Sequence, residues 1–337
     1  MDGDRSLEEI VDDAAGRAES SGELEDRFRG VLLGLGVGNG LGLPVEGGSQ
    51  QSIRRAYPRG VTEIDPEESR RPWDDDLAQA VILAEVLCET PEMDPSAFAG
   101  RLINWAAENG RGMGILTSSV IAEMKQGNDA FEAARLAWER NPMSGAGNGA
   151  VMRCAPVALR HLFSGSALIQ AARSSALVTH YDARCEWSTV VTAALIATCL
   201  GGSPAAPGDL AAAVVSAGGK GWPADAIELV SEEILAVEGY EDLGELELDD
   251  PMDMGYTLKT MQVAVWCSRR DASFEQTLVD IVAAGGDTDT NGAVAGAVMG
   301  AREGASRIPA RWAGNLGGAA RLEELSDRLL SLARTAG

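Results

Sequence analysis

Apolar residues recur at intervals of three and four along most of the chain, and this spacing predicts a protein built from helices. Pro, Gly, Asp or Ser stands at many segment boundaries, where helices commonly begin or end. The nine clearest stretches are 77–89, 95–109, 118–126, 130–139, 167–176, 187–200, 224–237, 258–267 and 274–284. No run alternates between apolar and polar residues for long enough to predict a strand. We therefore expect an all-α fold.

Two further segments are rich in glycine. Small residues recur between Phe28 and Gly38, where helices could approach each other closely, and we take this segment as the start of the folded domain. The run from Gly292 to Gly300 predicts a small-residue helix suited to burial. Residues 1–26 instead carry ten acids against two bases and few large apolar groups, which predicts a flexible tail or a weak surface helix. With no Pro/Ser-rich linker, residues 27–337 are expected to form one compact domain.

Amino-acid composition and net charge argue against several classes of fold and of binding partner. Hydrophobic residues make up 45% of the chain but aromatic residues only 5%, which favours closely packed helices over a β-sandwich. The net charge of −23 disfavours binding to nucleic acid or to anionic membranes. The longest apolar run, near 190–200, is too short to cross a bilayer, and no leader sequence is evident. Five scattered cysteines without a CxxC pair are expected to be reduced and buried, so we predict a cytoplasmic protein.

Two acidic clusters carry the candidate chemistry. Asp74, Asp75 and Asp76 follow Trp73, and more than two hundred residues later the sequence Gly-Gly-Asp-Thr-Asp-Thr spans 285–290. Carboxylates packed closely in a sheltered site stay ionised only if a cation compensates their charge. Ligand sets made only of oxygen suit Mg²⁺, Mn²⁺ or Ca²⁺ rather than zinc. The clusters therefore predict a metal-assisted reaction.

A plainer interpretation of these acids is helix capping, because Asp is favoured at the N-cap and in the first turn. This alternative is strong for Asp74 to Asp76 taken alone. It is weaker for Asp287 and Asp289, because the apolar helix that follows would bury several oxygens that need a cation or a donor.

Glycines and histidines supply the candidate ligand contacts. Gly147-Asn148-Gly149 could bring backbone N–H groups close to a phosphate or ribose at a helical start, or could form an ordinary turn. His180 is a candidate binding residue, whereas His161 is assigned a structural role. The glycines from Gly34 to Gly42 contain no strict GxGxxG motif and follow no predicted strand, which argues against a dehydrogenase.

Four stretches in order resemble the ADP-ribosylglycohydrolase family, and the resemblance covers Arg27 to about Trp312. They are Arg29-Gly30 through Glu46, Trp73 through Asp76, Gly147 through Pro156, and Gly285 through Gly300, with Thr179-His180 between the last two. The resemblance implies an all-helical fold, two Mg²⁺ or Mn²⁺ ions, and hydrolysis of a glycosidic bond at the anomeric carbon of ADP-ribose. The implied partner is an ADP-ribosylated protein or a small ADP-ribosylated molecule.

The resemblance also implies roles for individual residues. Glu46 and Asp287 would be catalytic, and Gly147, Asn148, Gly149 and His180 would contact ADP-ribose. The metal ligands would be Asp74, Asp75, Asp76, Asp287, Asp289 and Thr290.

Four positions depart from the family pattern. Asp74 and Leu77 stand where the family usually has threonine, and Asn39 stands where it usually has aspartate. Gly112 occupies the place of an aspartate that some members use near the leaving group. These departures leave the acceptor open. They also leave two alternatives, a non-catalytic ADP-ribose-binding relative and a hydrolase of a small ADP-ribosylated or NAD-derived metabolite.

Overall fold

The computed structural model describes residues 5–140, 145–218 and 221–336. These ranges contain 17 α-helices and no strand, so the predicted all-α fold is confirmed. The helices are α1 (Leu7–Glu19), α2 (Leu24–Gly42), α3 (Gln50–Ala56), α4 (Asp75–Glu89), α5 (Pro95–Glu108), α6 (Ile115–Met124), α7 (Ala130–Arg140), α8 (Ala155–Arg160), α9 (Gly165–Leu177), α10 (Ala183–Leu200), α11 (Pro207–Gly218), α12 (Ala224–Ala236), α13 (Thr257–Arg269), α14 (Phe274–Ala283), α15 (Thr288–Glu303), α16 (Ala310–Asn315) and α17 (Ala319–Ala336).

All nine predicted helices are present, and the largest difference is at α10, which begins at Ala183 rather than at residue 187. Sequence spacing did not identify α1, α3, α8, α11, α16 or α17. Three of these six contain only six or seven residues, too few for a repeating apolar pattern. The long helix α17 does have such a pattern, with Leu322, Leu325, Leu329 and Leu330 all buried, although the sequence prediction did not include it.

Of the two alternatives for the N-terminal segment, a flexible tail or a weak surface helix, its described part forms a helix, and this helix is packed against the core. Helix α1 begins after the N-cap Ser6, which forms a capping box with Glu9. Its apolar face buries Leu7, Ile10 and Val11 and packs against α9 and α10. The acids of α1 all lie at exposed or partly exposed positions, while its apolar residues keep helical spacing, so a high acid content does not exclude a packed helix.

Helices α2 and α15 lie in direct backbone contact along two rows of glycine. Gly30, Gly34 and Gly38 of α2 face the glycines at 300, 296 and 292 of α15, in antiparallel order. A Cβ atom added to Gly38 would lie 1.8 Å from the carbonyl oxygen of Gly292. Only glycine permits this approach, so the four-residue spacing in both segments sets the distance between the two helices.

Segment Leu24–Val45, which includes α2, is the one described helix long and apolar enough to span a membrane by length and composition. In the fold, 78% of its most apolar window is buried. Its contact with α15 explains why a helix of a folded core is so rich in apolar and small residues.

Packing of α2 against α15 also brings distant polar segments together. The Thr288 hydroxyl at the start of α15 donates to the Gly42 carbonyl oxygen at the end of α2, at 2.8 Å. Two residues further, the Thr290 hydroxyl donates to Asp76 Oδ2 at 3.2 Å, which ties α15 to the start of α4. The first turns of α4 and α15 therefore meet beside the end of α2.

Candidate active site

Three acidic side chains converge where α4 and α15 begin. Asp74, Asp76 and Asp289 each offer a carboxylate oxygen, and these oxygens all lie within 4.8 Å of one another. All three side chains are buried, with exposed fractions of 3%, 1% and 5%. The Oδ1 atom of each has no hydrogen-bond donor among the described residues. Three buried acceptors without donors face a common space.

Helix capping does not account for these acids. Asp74 is the N-cap residue of α4 and Asp287 is the N-cap residue of α15, but neither side chain forms a capping hydrogen bond of normal geometry. The Leu77 N–H lies close enough to Asp74 only to offset part of the rise that burial causes in the Asp74 pKa. Asp74 Oδ2 instead accepts from Asn39 Nδ2 at 2.9 Å. Asp287 Oδ2 accepts from Asn148 Nδ2 at 2.8 Å. The carboxylates are thus directed into the site by side-chain amides from other elements.

The remaining predicted site acids lie at the edge of this cluster. Asp75 is partly exposed and faces the loop before α6. A Cβ atom on Gly112, whose φ is +78°, would lie 2.3 Å from Asp75 Oδ1. Glycine at this position therefore leaves room for the Asp75 carboxylate, and an aspartate would displace it. Glu46, in the turn after α2, is exposed.

Burial and mutual repulsion raise the carboxyl pKa values in the cluster. Burial is the main cause for Asp75, whose pKa rises to about 7, and the charge of Asp74 adds to it. Burial and neighbouring carboxylates raise the pKa values of Asp76 and Asp289 well above their usual range. The pKa of Glu46 is also raised. The main cause is desolvation by the protein beneath the side chain, and the negative charges of Asp287 and Asp74 add to it. The fold concentrates negative charge that it does not itself neutralise.

These pKa values predict that the metal-free protein loses stability as pH rises. A raised carboxyl pKa means that the folded protein holds protons that the unfolded chain releases from pH 3.8 upward, so stability falls until the pH passes the folded value. For Asp75 alone we expect a loss of roughly 2–3 kcal/mol between pH 5 and 8. Melting in chelator across this range measures it, and Mg²⁺ or Mn²⁺ should reverse the trend.

Two variants separate this effect from the general charge of the protein. Asp75→Asn should flatten the slope of melting temperature against pH, because the titrating group is gone. Asp209→Asn, which changes an exposed acid in α11, should keep the wild-type slope. A slope that is the same in all three proteins would contradict the assignment to Asp75.

The donor set fits a hard cation. Asp74, Asp76 and Asp289 supply unpartnered carboxylate oxygens, and no nitrogen or sulfur ligand takes part in the described cluster. Such oxygen sets suit Mg²⁺ or Mn²⁺, and a bound cation would compensate the charge that burial makes costly. The Thr290 hydroxyl, bonded to Asp76, lies beside the same oxygens.

The glycine loop at 147–149 lies between this cluster and His180. Asn148 Nδ2 donates to Thr260 Oγ1 as well as to Asp287, so its side chain orients an acid of the site. A Cβ atom on Gly149 would lie 2.8 Å from His180 Cε1. The helical start expected after the loop is a short 3₁₀ turn, Val151–Arg153, and the α-helix α8 begins only at Ala155. The backbone of Gly149, and not a helix N-terminus, is therefore what lies beside the imidazole.

Sequence reasoning missed a buried polar group behind the loop. Arg153 is completely buried, and its guanidinium donates to Gln79, to the Ser175 carbonyl oxygen and to Thr179. Its burial lowers its pKa to about 9. The signal was visible in the sequence as a single arginine within the apolar run Ala150 to Pro156.

The other histidine lies elsewhere. His161 is buried beside a cavity of about 260 Å³ that includes none of the predicted site residues. Burial lowers its pKa to about 4. Its neighbour Arg160 donates to the carbonyl oxygens of Leu87 and Leu332, near the ends of α4 and α17. His161 Nε2 has no hydrogen-bond partner among the described residues, and the structural role of His161 stays a prediction.

Known proteins are similar to this chain along most of its length. A family model described as ADP-ribosylglycohydrolase matches residues 20–337. An uncharacterised protein of Archaeoglobus fulgidus is 31% identical over 92% of this chain and 97% of its own length. ADP-ribosylarginine hydrolase Tri1 of Pseudomonas putida is 24% identical over 91% of this chain and 79% of its own. A solved structure titled ADP-ribosylglycohydrolase-related protein complex is 30% identical, covers 92% of this chain and 99% of its own, and superposes with a TM-score of 0.71.

Proposed function

The chain belongs to the ADP-ribosylglycohydrolase family, and on this premise we propose that it releases ADP-ribose from an acceptor in a reaction that requires Mg²⁺ or Mn²⁺. The observation that carries the metal requirement is the set of three buried carboxylate oxygens without donors, at Asp74, Asp76 and Asp289. Uncompensated, these charges cost free energy that a bound cation recovers.

The residues proposed to hold two cations are those of the two acidic clusters. Asp74, Asp76 and Asp289 form the buried side of the centre, while Asp75 and Asp287 lie toward solvent. Thr290 adds a hydroxyl. When bound, the cations would supply positive charge that orients the ribose hydroxyls and acidifies water.

Hydrolysis breaks the bond between the anomeric carbon and the acceptor, and adds a hydroxyl to ribose and a proton to the acceptor. We propose Glu46 and Asp287 for the proton transfers. Glu46 is open to solvent, and desolvation by the protein beneath it, with the charges of Asp287 and Asp74, raises its pKa, which suits a group that takes up and releases a proton. Asp287 is oriented by Asn148, which suits a group that holds the attacking water. Two carboxylates with different surroundings follow the usual logic of glycoside hydrolysis.

The acceptor, the group to which ADP-ribose is attached in the substrate, has two candidates. One relative is named an ADP-ribosylarginine hydrolase, which makes arginine the first acceptor to test. Gly112 itself supplies no carboxylate for a guanidinium, and the acid that lies at this place is Asp75 from the start of α4. A small ADP-ribosylated molecule therefore stays as the second candidate.

The direct experiment is to incubate the protein with arginine-linked, serine-linked and free O-linked ADP-ribose, with Mg²⁺, with Mn²⁺ and with chelator. Release of ADP-ribose that requires a metal supports the proposal, and the best substrate names the linkage. Tight binding of ADP-ribose without release from any substrate would contradict hydrolysis and support a binding protein.

The Asn39–Asp74 contact leads to a separate prediction. Asn39→Ala removes the amide that donates to Asp74 Oδ2, leaving that carboxylate without its orienting partner in a buried site. We expect Mn²⁺ affinity to fall about tenfold, as is typical when a group behind a metal ligand is lost. Titration calorimetry measures it. Asn104→Ala, an exposed change in α5, is the control, and an unchanged affinity in Asn39→Ala would refute the prediction.

A further inference from the structure

His180 lies at the end of a buried chain of hydrogen bonds that determines which ring nitrogen carries the proton. Arg153 donates through Nη2 to Thr179 Oγ1. Thr179 Oγ1 in turn lies 2.7 Å from His180 Nδ1. All three side chains are buried, with exposed fractions of 0%, 0% and 2%. Water therefore has little access to this chain.

The direction of each bond follows from the donors available. A guanidinium can only donate, so Thr179 Oγ1 accepts from Arg153. The Thr179 hydroxyl proton then needs an acceptor, and within the described residues His180 Nδ1 is the one within reach. Nδ1 must therefore accept, and it carries no proton.

Burial and the charge of Arg153 lower the His180 pKa to about 3. The imidazole is therefore neutral at physiological pH and holds one ring proton, which must lie on Nε2.

The protonated nitrogen faces the glycine loop. A Cβ atom on Gly149 would lie 3.0 Å from Nε2, and one on Gly147 would lie 3.6 Å away. Nε2 has no hydrogen-bond partner in the described part of the chain. The two glycines lack the side chains that would cover it. A ligand oxygen could reach it there.

We infer that Arg153 and Thr179 are positioning residues that fix His180 as the Nε2–H tautomer, so that the imidazole presents a neutral N–H donor to an oxygen of the bound nucleotide. This inference rests on the proposed function for the identity of the ligand. The tautomer itself does not depend on that function. An N–H donor selects acceptor oxygens, such as those of a phosphate or ribose, and rejects groups that can only donate.

Nitrogen NMR of the protein labelled in histidine tests the tautomer directly. The chain has only two histidines, so His161→Gln assigns the remaining signals to His180. We expect a protonated Nε2 and an unprotonated Nδ1, unchanged between pH 5 and 8. A protonated Nδ1 would overturn the inference.

Two variants test the role of the hydroxyl. Thr179→Val keeps the shape of the side chain but removes the donor, and should increase the population of the Nδ1–H form. Thr179→Ser should restore the wild-type tautomer. For ADP-ribose we expect Thr179→Val to bind about five- to tenfold more weakly, as when one neutral hydrogen bond is lost, with recovery in Thr179→Ser. A wild-type tautomer in Thr179→Val would show that the hydroxyl does not set it.

Adding ADP-ribose to the labelled protein tests the donor role of His180 separately from the proposed function. Binding accompanied by a shift of the Nε2 signal supports the donor role. Binding without a shift overturns that role and leaves the proposed function intact. If calorimetry detects no binding of ADP-ribose at all, the proposed ligand is wrong, while the tautomer result still decides the function of Arg153 and Thr179.

Discussion

Replacing Asp289 by asparagine should abolish turnover and metal binding while the protein stays folded. Asn keeps the shape of the side chain but removes one of the three carboxylates whose oxygens lie within 4.8 Å of one another. The proposed centre then loses the ligand charge that α15 contributes, while the Thr290–Asp76 bond between α15 and α4 remains. We expect Mn²⁺ affinity and hydrolysis each to fall by at least about 100-fold.

The same substitution has the opposite effect on the metal-free fold. Asp289 is buried and repelled by its neighbours, which raises its pKa well above the usual range. Its neutralisation should leave the melting temperature in chelator at pH 8 unchanged or higher. Loss of binding together with retained stability separates a ligand from a residue needed for folding.

Calorimetry, an ADP-ribose release assay and thermal unfolding measure these three quantities. Asp209→Asn, an exposed change of the same chemical kind, should match the wild type in all of them. Full turnover by Asp289→Asn would remove the metal model. Intact Mn²⁺ binding without turnover would instead assign Asp289 to the chemical step.

Gly296→Ala should destabilise the protein by about 3 kcal/mol or more, because the added methyl group would overlap with backbone atoms of the neighbouring helix. Its Cβ atom would lie 1.9 Å from the Gly34 carbonyl oxygen, and the obstructing atom belongs to a helix backbone that cannot rotate away. Helix α15 would have to move from α2. Since α15 carries Asp289, weaker Mn²⁺ binding should accompany the loss of stability.

A second glycine-to-alanine substitution, at an exposed helical position, serves as the control for Gly296→Ala. Gly16 lies within α1, and a Cβ atom there would meet nothing within 4 Å. Gly16→Ala should therefore stabilise the protein by about 0.5–1 kcal/mol, because alanine favours the helix and restricts the unfolded chain. Chemical denaturation measures both variants. Equal effects of the two substitutions would contradict a steric origin at the α2–α15 contact.

The sequence by itself determined the fold class and the type of chemistry. Helical spacing is a local property, since residues three and four apart share a face whatever the rest of the chain does. Residues 75–89 and 274–283 could therefore be predicted closely. The family resemblance rested on four motifs that occur in the expected order. The two clusters of closely spaced carboxylates predicted a bound cation. The same local reasoning failed for α1, where acid content outweighed a regular apolar face.

Only the tertiary structure decided which groups meet. Asp74, Asp76 and Asp289 converge because glycine rows let α15 approach α2, and that distance depends on contacts between residues far apart in sequence. The pairing of Asn39 with Asp74 joins two departures from the family pattern that appeared unrelated in the sequence. Likewise, Arg153 and Thr179 are 26 positions apart, and only packing places them on one hydrogen-bonded chain to His180. Local periodicity specifies helices, whereas close packing between them specifies the site.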